Sequence, residues 1–381
     1  MNDPAPPLGV YVHWPYCARI CPYCDFNVVR ARGRTAEEAA LVEAILTDLR
    51  DQAARMGPRT LVSIYFGGGT PSLLPPDAVG RMVETARTLW PGDGPVEVTL
   101  EANPTDVEAD RFKAFRDAGV ERLSLGAQAF DEADLRFLGR EHGPDETLRA
   151  IAGAAEVFAR LSLDLIYALP GHTPDRWAET LRRAVGLGAE HLSPYQLTIE
   201  AGTAFDRAVK RGRFRPVDED LGARLYDTTQ SVLSAEGYTA YEVSNHARGS
   251  AARARHNLVY WRGEDYVGVG PGAHGRLTGP DGVRWASAAE RSISGYIVAV
   301  RDTGTGGAFT AMSAIERAEE RVLMGLRTDE GVLSADLDGL ELSALPALLT
   351  DGLLRNAGDR FVATGEGRMV LDYVTRRLIL G

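Results

Sequence analysis

The stretch Tyr11-Val-His-Trp-Pro-Tyr-Cys17-Ala-Arg-Ile-Cys21-Pro-Tyr-Cys24-Asp-Phe26 contains every cysteine of the 381-residue chain. The thiols follow a C-x3-C-x2-C spacing directly after a short apolar run. Thiolates this close together in a loop are typical of a metal centre, and three of them can hold three corners of a cubane iron–sulfur cluster. One iron would then keep an open position for a small molecule, as a catalytic zinc does.

Two other roles for the cysteines are a disulfide framework and a structural zinc site. A disulfide framework is disfavoured because the cysteine count is odd and the chain is long. A structural zinc site needs a fourth ligand. His13 lies shortly before Cys17, but the alternation of a strand would aim its ring away from the loop. A zinc-structured scaffold is therefore the alternative to the cluster.

The cysteine spacing is that of the radical S-adenosylmethionine (SAM) enzymes, and the flanking residues narrow the resemblance. YVHWPYCARICPYCDFN, at residues 11–27, resembles the family of the oxygen-independent coproporphyrinogen III oxidase and its HemW branch of haem chaperones. In that superfamily SAM chelates the open iron, and an electron from the cluster splits it into methionine and a 5′-deoxyadenosyl radical. The resemblance implies a [4Fe–4S] cluster on Cys17, Cys21 and Cys24, with SAM as the second cofactor.

Composition and charge limit the class of protein. Apolar content of 44% and charged content of 25% are ordinary for a soluble globular chain. No apolar run approaches the length of a membrane span, and the N-terminus lacks the features of a secretion signal. Reduced thiols and a cluster suit the cytoplasm. A net charge of −11 argues against a nucleic-acid partner held by bulk charge.

The first 200 residues alternate short apolar strands with longer helical stretches, which predicts parallel βα units. The predicted strands are 9–14, 61–66, 96–100, 122–125, 163–167 and 191–196, and the predicted helices are 35–56, 76–89, 106–118, 144–160 and 174–187. Six repeats are too few for a closed eight-stranded barrel. The fold class predicted here is α/β, an open partial (β/α)6 TIM-like barrel, which the resemblance also implies. Function is then expected at the carboxyl ends of the strands.

The pattern changes after the barrel. We predict a barrel domain at 1–205, a family-specific extension at 206–305 and a C-terminal domain at 306–381. In the last segment, helices at 311–326, 342–351 and 367–380 surround a hairpin with strands at 353–354 and 360–362. This α+β pattern is typical of a winged-helix-like domain, which in an acidic protein we interpret as a lid or docking domain.

A glycine run follows the second predicted strand, in Phe66-Gly67-Gly68-Gly69-Thr70-Pro71. Glycines let a backbone approach a ligand closely, and free amide and carbonyl groups there can bind the ends of a small molecule. A tight turn before a helix is the alternative. The resemblance implies that Gly68, Gly69 and Thr70 grip the methionine part of SAM.

Polar residues also end the later strands. The Glu101 carboxylate can accept hydrogen bonds from an ammonium or from ribose hydroxyls. Asp164 is a charge inside an apolar run, so we expect it to meet SAM or Arg140, with a structural salt bridge as the alternative. The resemblance places Tyr23 near the adenine of SAM. It implies further SAM contacts by Tyr11, Glu101, Gln128, Arg140 and Asp164.

A second motif, His256-Asn257-Leu-Val-Tyr260-Trp261, lies beyond the predicted barrel. It resembles the HNxxYW motif of the HemW branch, in which the histidine is the suspected haem ligand. An imidazole with aromatic neighbours suits an axial haem contact, and a loop histidine bonded to backbone is the alternative. His246 is a second candidate, at a position where the family pattern usually has Phe.

One departure within the resemblance separates the two branches. The oxidase branch resembles C-x3-C-x2-C-x-C, and Phe26 occupies the place of its fourth cysteine. The sequence therefore predicts a haem chaperone of the HemW type. It would carry haem as cargo to an acceptor, a respiratory haem protein, with a transient contact to a membrane protein. The alternative is a radical SAM oxidoreductase that decarboxylates coproporphyrinogen III, so enzymatic activity is left open.

Overall fold

The computed structural model describes residues 5–31, 33, 35–92, 94–104 and 109–381. The strands are β1 (Pro7–Trp14), β2 (Tyr16–Cys17), β3 (Val29–Arg30), β4 (Thr60–Gly68), β5 (Glu97–Ala102), β6 (Arg122–Gln128), β7 (Arg160–Tyr167), β8 (His191–Gln196), β9 (Thr239–Ala240), β10 (His246–Ala247), β11 (Asp265–Val269), β12 (His274–Thr278), β13 (Arg284–Ala289), β14 (Gly307–Ala311), β15 (Val332–Leu333), β16 (Leu354–Asn356) and β17 (Arg360–Ala363).

The helices alternate with the strands through the first half of the chain and group again near its end. They are α1 (Thr35–Ala54), α2 (Pro76–Leu89), α3 (Ala109–Asp117), α4 (Glu132–Phe137), α5 (Pro144–Val157), α6 (Pro174–Gly186), α7 (Ala204–Lys210), α8 (Glu219–Ala235), α9 (Arg255–Trp261), α10 (Ile293–Thr303), α11 (Ala314–Gly325), α12 (Leu345–Thr350), α13 (Gly365–Met369) and α14 (Leu371–Leu380).

Six parallel strands form the predicted barrel core. β1, β4, β5, β6, β7 and β8 lie side by side in chain order and pair in parallel. Their side chains are largely buried, as expected for parallel strands that helices cover. The (β/α)6 fold class is confirmed, and the carboxyl ends of these strands share one edge.

Helix starts follow the proline signals in the sequence. α2, α5 and α6 begin at Pro76, Pro144 and Pro174, where the missing amide removes no helical hydrogen bond. The predicted helix 144–160 ends earlier, at Val157, because β7 already begins at Arg160. The first residues of the predicted helix 106–118 lie outside the described ranges.

The central sheet is wider than the sequence predicts. β11 pairs in parallel with β1, and β12, β13 and β14 continue from it in antiparallel order. At the other edge β10 pairs antiparallel with β8, and β9 follows. Segment 206–305 therefore adds strands to both edges of one 12-stranded sheet, and β14, from the segment predicted as the C-terminal domain, forms one outer edge. No strand was predicted at β11 because this stretch is rich in glycine.

The C-terminal module, which runs from α11 to α14, has a small core of its own. Val322, Leu326, Val332, Val374 and Leu378 are buried together there. Its sheet has three antiparallel strands in the order β15-β17-β16, one more than the predicted hairpin. The predicted last helix is divided into α13 and α14 at Val370, whose backbone is not helical. The α+β prediction for this segment is confirmed.

None of the helices in the described ranges combines the length and apolar character needed to cross a lipid bilayer.

Candidate functional site

The cysteine loop is closed by a two-stranded ribbon at its base. β2 and β3 pair in parallel, with Tyr16 opposite Val29 and Cys17 opposite Arg30. The amide of Cys24 donates to the carbonyl of Cys21 over 3.2 Å, which folds the loop back on itself. All three cysteines are free thiols. The ribbon follows β1 directly, so the loop lies at the carboxyl edge of the sheet.

A cavity of about 370 Å³ opens at this edge. Most of the site residues predicted from the sequence line it, although they come from different strands and loops. Those that line the cavity are Cys17, Cys21, Tyr23, Cys24, Gly68, Gly69, Thr70, Glu101, Gln128, Arg140 and Asp164. The carboxyl ends of β4, β5, β6 and β7 thus supply groups to one space, as the parallel sheet predicts.

The glycine turn packs directly against the cysteine segment. A Cβ at Gly69 would lie 2.6 Å from the carbonyl oxygen of Tyr16, and Gly68 has a φ of +108°. The amides of Gly69 and Thr70 donate to the carbonyls of Trp14 and Tyr16 over 2.7 and 2.8 Å. The sequence suggested that these amides are free to bind a ligand, but both are already used in backbone hydrogen bonds. They fix the position of the cysteine loop instead.

Arg140 connects the cysteines to the glycine turn. Its Nη1 donates to Cys21 Sγ over 3.2 Å, and its Nη2 donates to Asn103 Oδ1 and to the Gly126 carbonyl. Asn103 in turn donates to Thr70 Oγ1 over 3.1 Å. The half-buried guanidinium therefore joins one cysteine, the end of β6 and the glycine turn in a single hydrogen-bonded group.

Two carboxyl groups face the cavity with raised pKa values. Burial raises the pKa of Glu101 to about 7, and the nearby Asp164 adds to the shift. Hydrogen bonds from Tyr65, over 2.7 Å, and from the Gly68 amide, over 3.3 Å, oppose it. Burial raises the pKa of Asp164 to about 6. Asp164 accepts from Ser124 Oγ over 3.2 Å, a contact that the sequence did not predict.

Gln128 has an unusual backbone conformation. Its φ is +66°, and the register between β6 and β7 shifts between Leu125 and Gln128. A non-glycine residue in this region costs of order 1 kcal/mol and is often found at functional sites. Gly126 gives the Gln128 amide room, since a Cβ there would lie 2.7 Å from its Nε2.

Tyr23 completes the wall on the side of the cysteine loop. Its ring lies 6.2 Å from that of Phe205, which begins a cluster with Phe137 and Phe214. A hydrogen bond links Tyr23 to Cys21, and burial raises the pKa of its phenol. An aromatic face held in this way can stack on a flat ring.

Tyr11 and His256 do not line the cavity. The Tyr11 hydroxyl bonds to His13 Nδ1 over 3.0 Å, and His13 Nε2 contacts the carbonyl of Asn27 at the end of the cysteine loop. His256 is 2% exposed. Its Nδ1 contacts Ser63 Oγ at 3.0 Å, and its Nε2 contacts the Tyr260 hydroxyl at 2.6 Å.

His246, the second haem candidate, is buried on β10 away from the cavity wall. Neither ring nitrogen has a hydrogen-bond partner among the residues that the structure describes. Burial, with Arg368 as a smaller contribution, lowers the pKa of His246 to about 4. The ring is therefore neutral at physiological pH.

Several residues that were not predicted also line the cavity, among them Tyr65, Asn103, Ser124 and Tyr195. Tyr65 is an ordinary aromatic of an apolar strand, and Asn103 precedes a proline, which is typical of a turn. Only their position could have identified these residues as part of the site. Each lies within or just after a predicted strand, close to the carboxyl end of that strand.

The donor set fits an iron–sulfur cluster. Burial raises the pKa of the Cys17 thiol to about 12, so this sulfur needs a metal cation to lose its proton at neutral pH. Within the described ranges, no three His, Cys, Asp or Glu side chains lie close enough to share one mononuclear ion. A cubane does not need that convergence, because each thiolate binds a different iron.

Family models match two parts of the chain. The radical SAM superfamily matches residues 11–184, and the HemN C-terminal domain matches residues 312–370. The fold is similar to that of coproporphyrinogen III oxidase (HemN) from Escherichia coli, with a TM-score of 0.78 and 22% identity. That likeness covers 100% of this chain and 90% of the oxidase.

Curated relatives match over nearly the full length. The heme chaperone HemW of Mycobacterium tuberculosis is 37% identical, over 99% of this chain and 96% of its own. The Escherichia coli heme chaperone HemW is 36% identical, over 96% of this chain and 97% of its own. A mouse mitochondrial radical S-adenosyl methionine domain-containing protein 1 is 40% identical, over 96% of this chain and 82% of its own. With this similarity and the three-cysteine cavity, the chain belongs to the HemW family of the radical SAM superfamily.

Proposed function

We propose that the protein is a haem chaperone that binds a [4Fe–4S] cluster, SAM and haem, and transfers haem to an acceptor protein. The observation that carries the proposal is the similarity to relatives named heme chaperone HemW, which extends over almost the whole of both chains. The cavity supports it, because one wall carries the three cysteines and the other walls carry polar groups suited to SAM.

The cluster and SAM would occupy adjacent parts of the cavity. Cys17, Cys21 and Cys24 would hold the cluster, and the bound SAM would supply the group that chelates the open iron. We assign the SAM contacts to Tyr23, Gly68, Gly69, Thr70, Glu101, Gln128, Arg140 and Asp164. The negative carboxylates suit the ammonium and sulfonium charges of SAM. Tyr11, which the resemblance adds to this set, would act through its neighbour Tyr65, because their rings stack 6.3 Å apart.

The rim of the cavity offers a surface that suits haem. Ile20 is 39% exposed and Phe26 is 62% exposed, and both lie on the cysteine loop at the cavity mouth. Haem is largely apolar, and covering such side chains removes apolar surface from water. Arg19 on the same loop supplies a cation for a propionate. Phe26, which replaces the fourth cysteine of the oxidase pattern, would therefore contact the cargo.

Haem ligation by His256 stays a prediction, and it would require the imidazole ring to give up one of its present hydrogen bonds. Both ring nitrogens contact hydroxyl groups, and the ring is buried. Binding iron would need the ring to leave Ser63 or Tyr260. We also propose that the protein is cytoplasmic, that the haem acceptor is a respiratory haem protein, and that transfer involves a transient contact with a membrane protein.

Haem titration of the anaerobically reconstituted protein tests the function. We expect a Soret band that saturates, and about a tenfold weaker haem affinity in Phe26→Asp, which places a charge on the apolar rim. Glu43→Gln is the control, because this exposed carboxylate pairs with Arg81 and does not line the cavity, and it should bind haem like the parent. Absence of a Soret band in the parent protein would refute the chaperone proposal.

The alternative activity is tested with the same reconstituted protein. Given SAM, a reductant and coproporphyrinogen III, the protein should release no protoporphyrinogen, because the oxidase pattern of four cysteines is incomplete at Phe26. Turnover comparable to an authentic oxidase would establish the enzyme instead.

A further inference from the structure

His256 lies outside the cavity but is connected to Glu101 through one intermediate, Tyr65. The rings of His256 and Tyr65 stack with centroids 4.8 Å apart and planes 17° apart. The Tyr65 hydroxyl donates to Glu101 Oε1 over 2.7 Å. Tyr65 and Glu101 both line the cavity. The histidine therefore supports the back of a ring whose hydroxyl binds a cavity carboxylate.

His256 is itself held in a fixed orientation. A neutral imidazole has one donor and one acceptor nitrogen, so it can satisfy the hydroxyls of Ser63 and Tyr260 together. Burial lowers the pKa of His256 to about 3, which keeps the ring neutral at physiological pH. The backbone amide of His256 also donates to Glu97 Oε1 over 3.2 Å. Rotating the ring would break both side-chain contacts.

The packing around the pair leaves little freedom. At Gly9, on the neighbouring strand β1, an added Cβ would lie 3.1 Å from Val259 and 3.5 Å from His256 Nδ1. The Tyr11 ring lies 6.3 Å from that of His256 and at the same distance from that of Tyr65. Tyr260 packs edge-on against His256 at 4.6 Å and against Tyr266 at 4.5 Å.

The hydrogen bond from Tyr65 matters because Glu101 is half-buried in the cavity wall near a second carboxyl group, Asp164. A donor to a buried carboxylate favours its charged form, and only that form attracts a cation strongly. If the Tyr65 ring moved, Glu101 would lose this donor and retain the unfavourable effects of burial and of Asp164.

We propose that His256 is a positioning residue for the SAM site, which acts through Tyr65 to hold Glu101 where it receives the cationic end of SAM. This inference rests on the proposed binding of SAM in the cavity. It gives the histidine of the HNxxYW motif a function in the buried position that it occupies. It requires no contact between His256 and haem.

A double-mutant cycle on SAM affinity tests the connection. Equilibrium dialysis of the reconstituted holoprotein should show about tenfold weaker SAM binding in Tyr65→Phe, which deletes one hydrogen bond to a charged group. His256→Leu should weaken binding by a similar factor. The double variant should bind SAM no more weakly than Tyr65→Phe alone, because His256 acts through the Tyr65 hydroxyl. Independent, multiplying effects would overturn the proposal.

Two further variants guard against misfolding of His256→Leu. His256→Gln can still donate to one hydroxyl and accept from the other, and it should restore most of the SAM affinity. Ser63→Ala together with Tyr260→Phe frees the His256 ring without emptying its volume, and should weaken SAM binding about threefold. Unchanged SAM affinity in this pair would overturn the proposal even if His256→Leu does not fold.

A matched control and a second ligand separate this inference from the proposed function. His191 is also buried and also contacts a tyrosine hydroxyl, that of Tyr241 at 2.8 Å, but it does not line the cavity. His191→Leu should leave SAM affinity unchanged. Haem titration of His256→Leu should give the parent Soret band. Loss of the Soret band with unchanged SAM affinity would overturn the proposal and identify His256 as a haem ligand, whereas a parent without haem binding refutes only the chaperone function.

Discussion

At the scale of single residues, the half-buried carboxyl group of Glu101 determines how the cavity responds to pH. The pKa of Glu101 rises from 4.5 to about 7, chiefly through burial. The folded state therefore binds this proton more tightly than the unfolded chain does. The stability that the neutral carboxyl contributes is present below pH 4.5 and is lost as the pH rises through about 7. A cationic ligand would favour the charged form, so SAM should bind more tightly above pH 7 than below it.

Glu101→Gln tests this assignment in the protein without SAM. The parent should lose up to about 3 kcal/mol of unfolding free energy between pH 5 and pH 8 from this group. The variant should lose less over the same range, because its amide does not ionise. Urea unfolding of the reconstituted protein at the two pH values measures the difference. Equal pH dependence in parent and variant would show that Glu101 is not buried as a carboxylic acid.

Some cavity residues were predictable from one physical rule, and the family resemblance supplied others. Glu101 and Gln128 stand at the ends of strands, and parallel strands bring their carboxyl ends to one edge. Tyr65 could not be singled out, because strand alternation indicates that a side chain faces inward but not how near the cavity it lies. The resemblance to the HNxxYW motif suggested His256 as a haem ligand, which stays a prediction, and no local pattern indicated that its ring stacks on that of Tyr65.

At the scale of elements, the six parallel strands were predictable because each is a short apolar run between turn residues. β11 was not, because its Gly268 and the neighbouring Gly270 suggest a loop. These glycines are required by close contacts: a Cβ at Gly268 would lie 1.9 Å from the His274 carbonyl oxygen, and one at Gly270 would lie 2.3 Å from that of His13. β11 forms because it pairs with β1, which is distant in the chain, and a local sequence pattern does not reveal such pairing.

Gly268→Ala should therefore separate β11 from β12. We expect a loss of more than about 2 kcal/mol of unfolding free energy, since the new methyl group meets backbone and cannot be accommodated by a rotamer change. Gly153→Ala in α5 is the matched control, because a Cβ there has no atom within 4 Å. The control should leave stability unchanged or raise it by up to about 1 kcal/mol. If both variants unfold at the same urea concentration, the backbone of His274 does not approach Gly268 as closely as the structure indicates.

At the scale of the whole molecule, ion pairs attach the C-terminal module to segment 206–305. Arg253 pairs with Asp329 at 2.5 Å, Arg262 with Glu330 at 2.6 Å, and Arg276 with Glu320 at 2.7 Å. In each pair the arginine comes from segment 206–305 and the acid from the C-terminal module. Three arginines of this segment are therefore neutralised by acids of the module. Single exposed pairs stabilise little, but the Arg276–Glu320 pair is mostly buried, with side chains 19% and 17% exposed.

Reversing the buried pair tests the attachment. Arg276→Glu should place two negative charges together and loosen α11, which carries Glu320, so that amide hydrogen exchange in Ala314–Gly325 becomes at least about fivefold faster. Adding Glu320→Arg restores opposite charges and should recover much of the protection. Arg301→Glu is the control, because its pair with Asp302 is 68% and 53% exposed and joins neighbours in the chain. Exchange in α11 that is insensitive to Arg276→Glu would mean that the Arg276–Glu320 pair does not hold this helix in place.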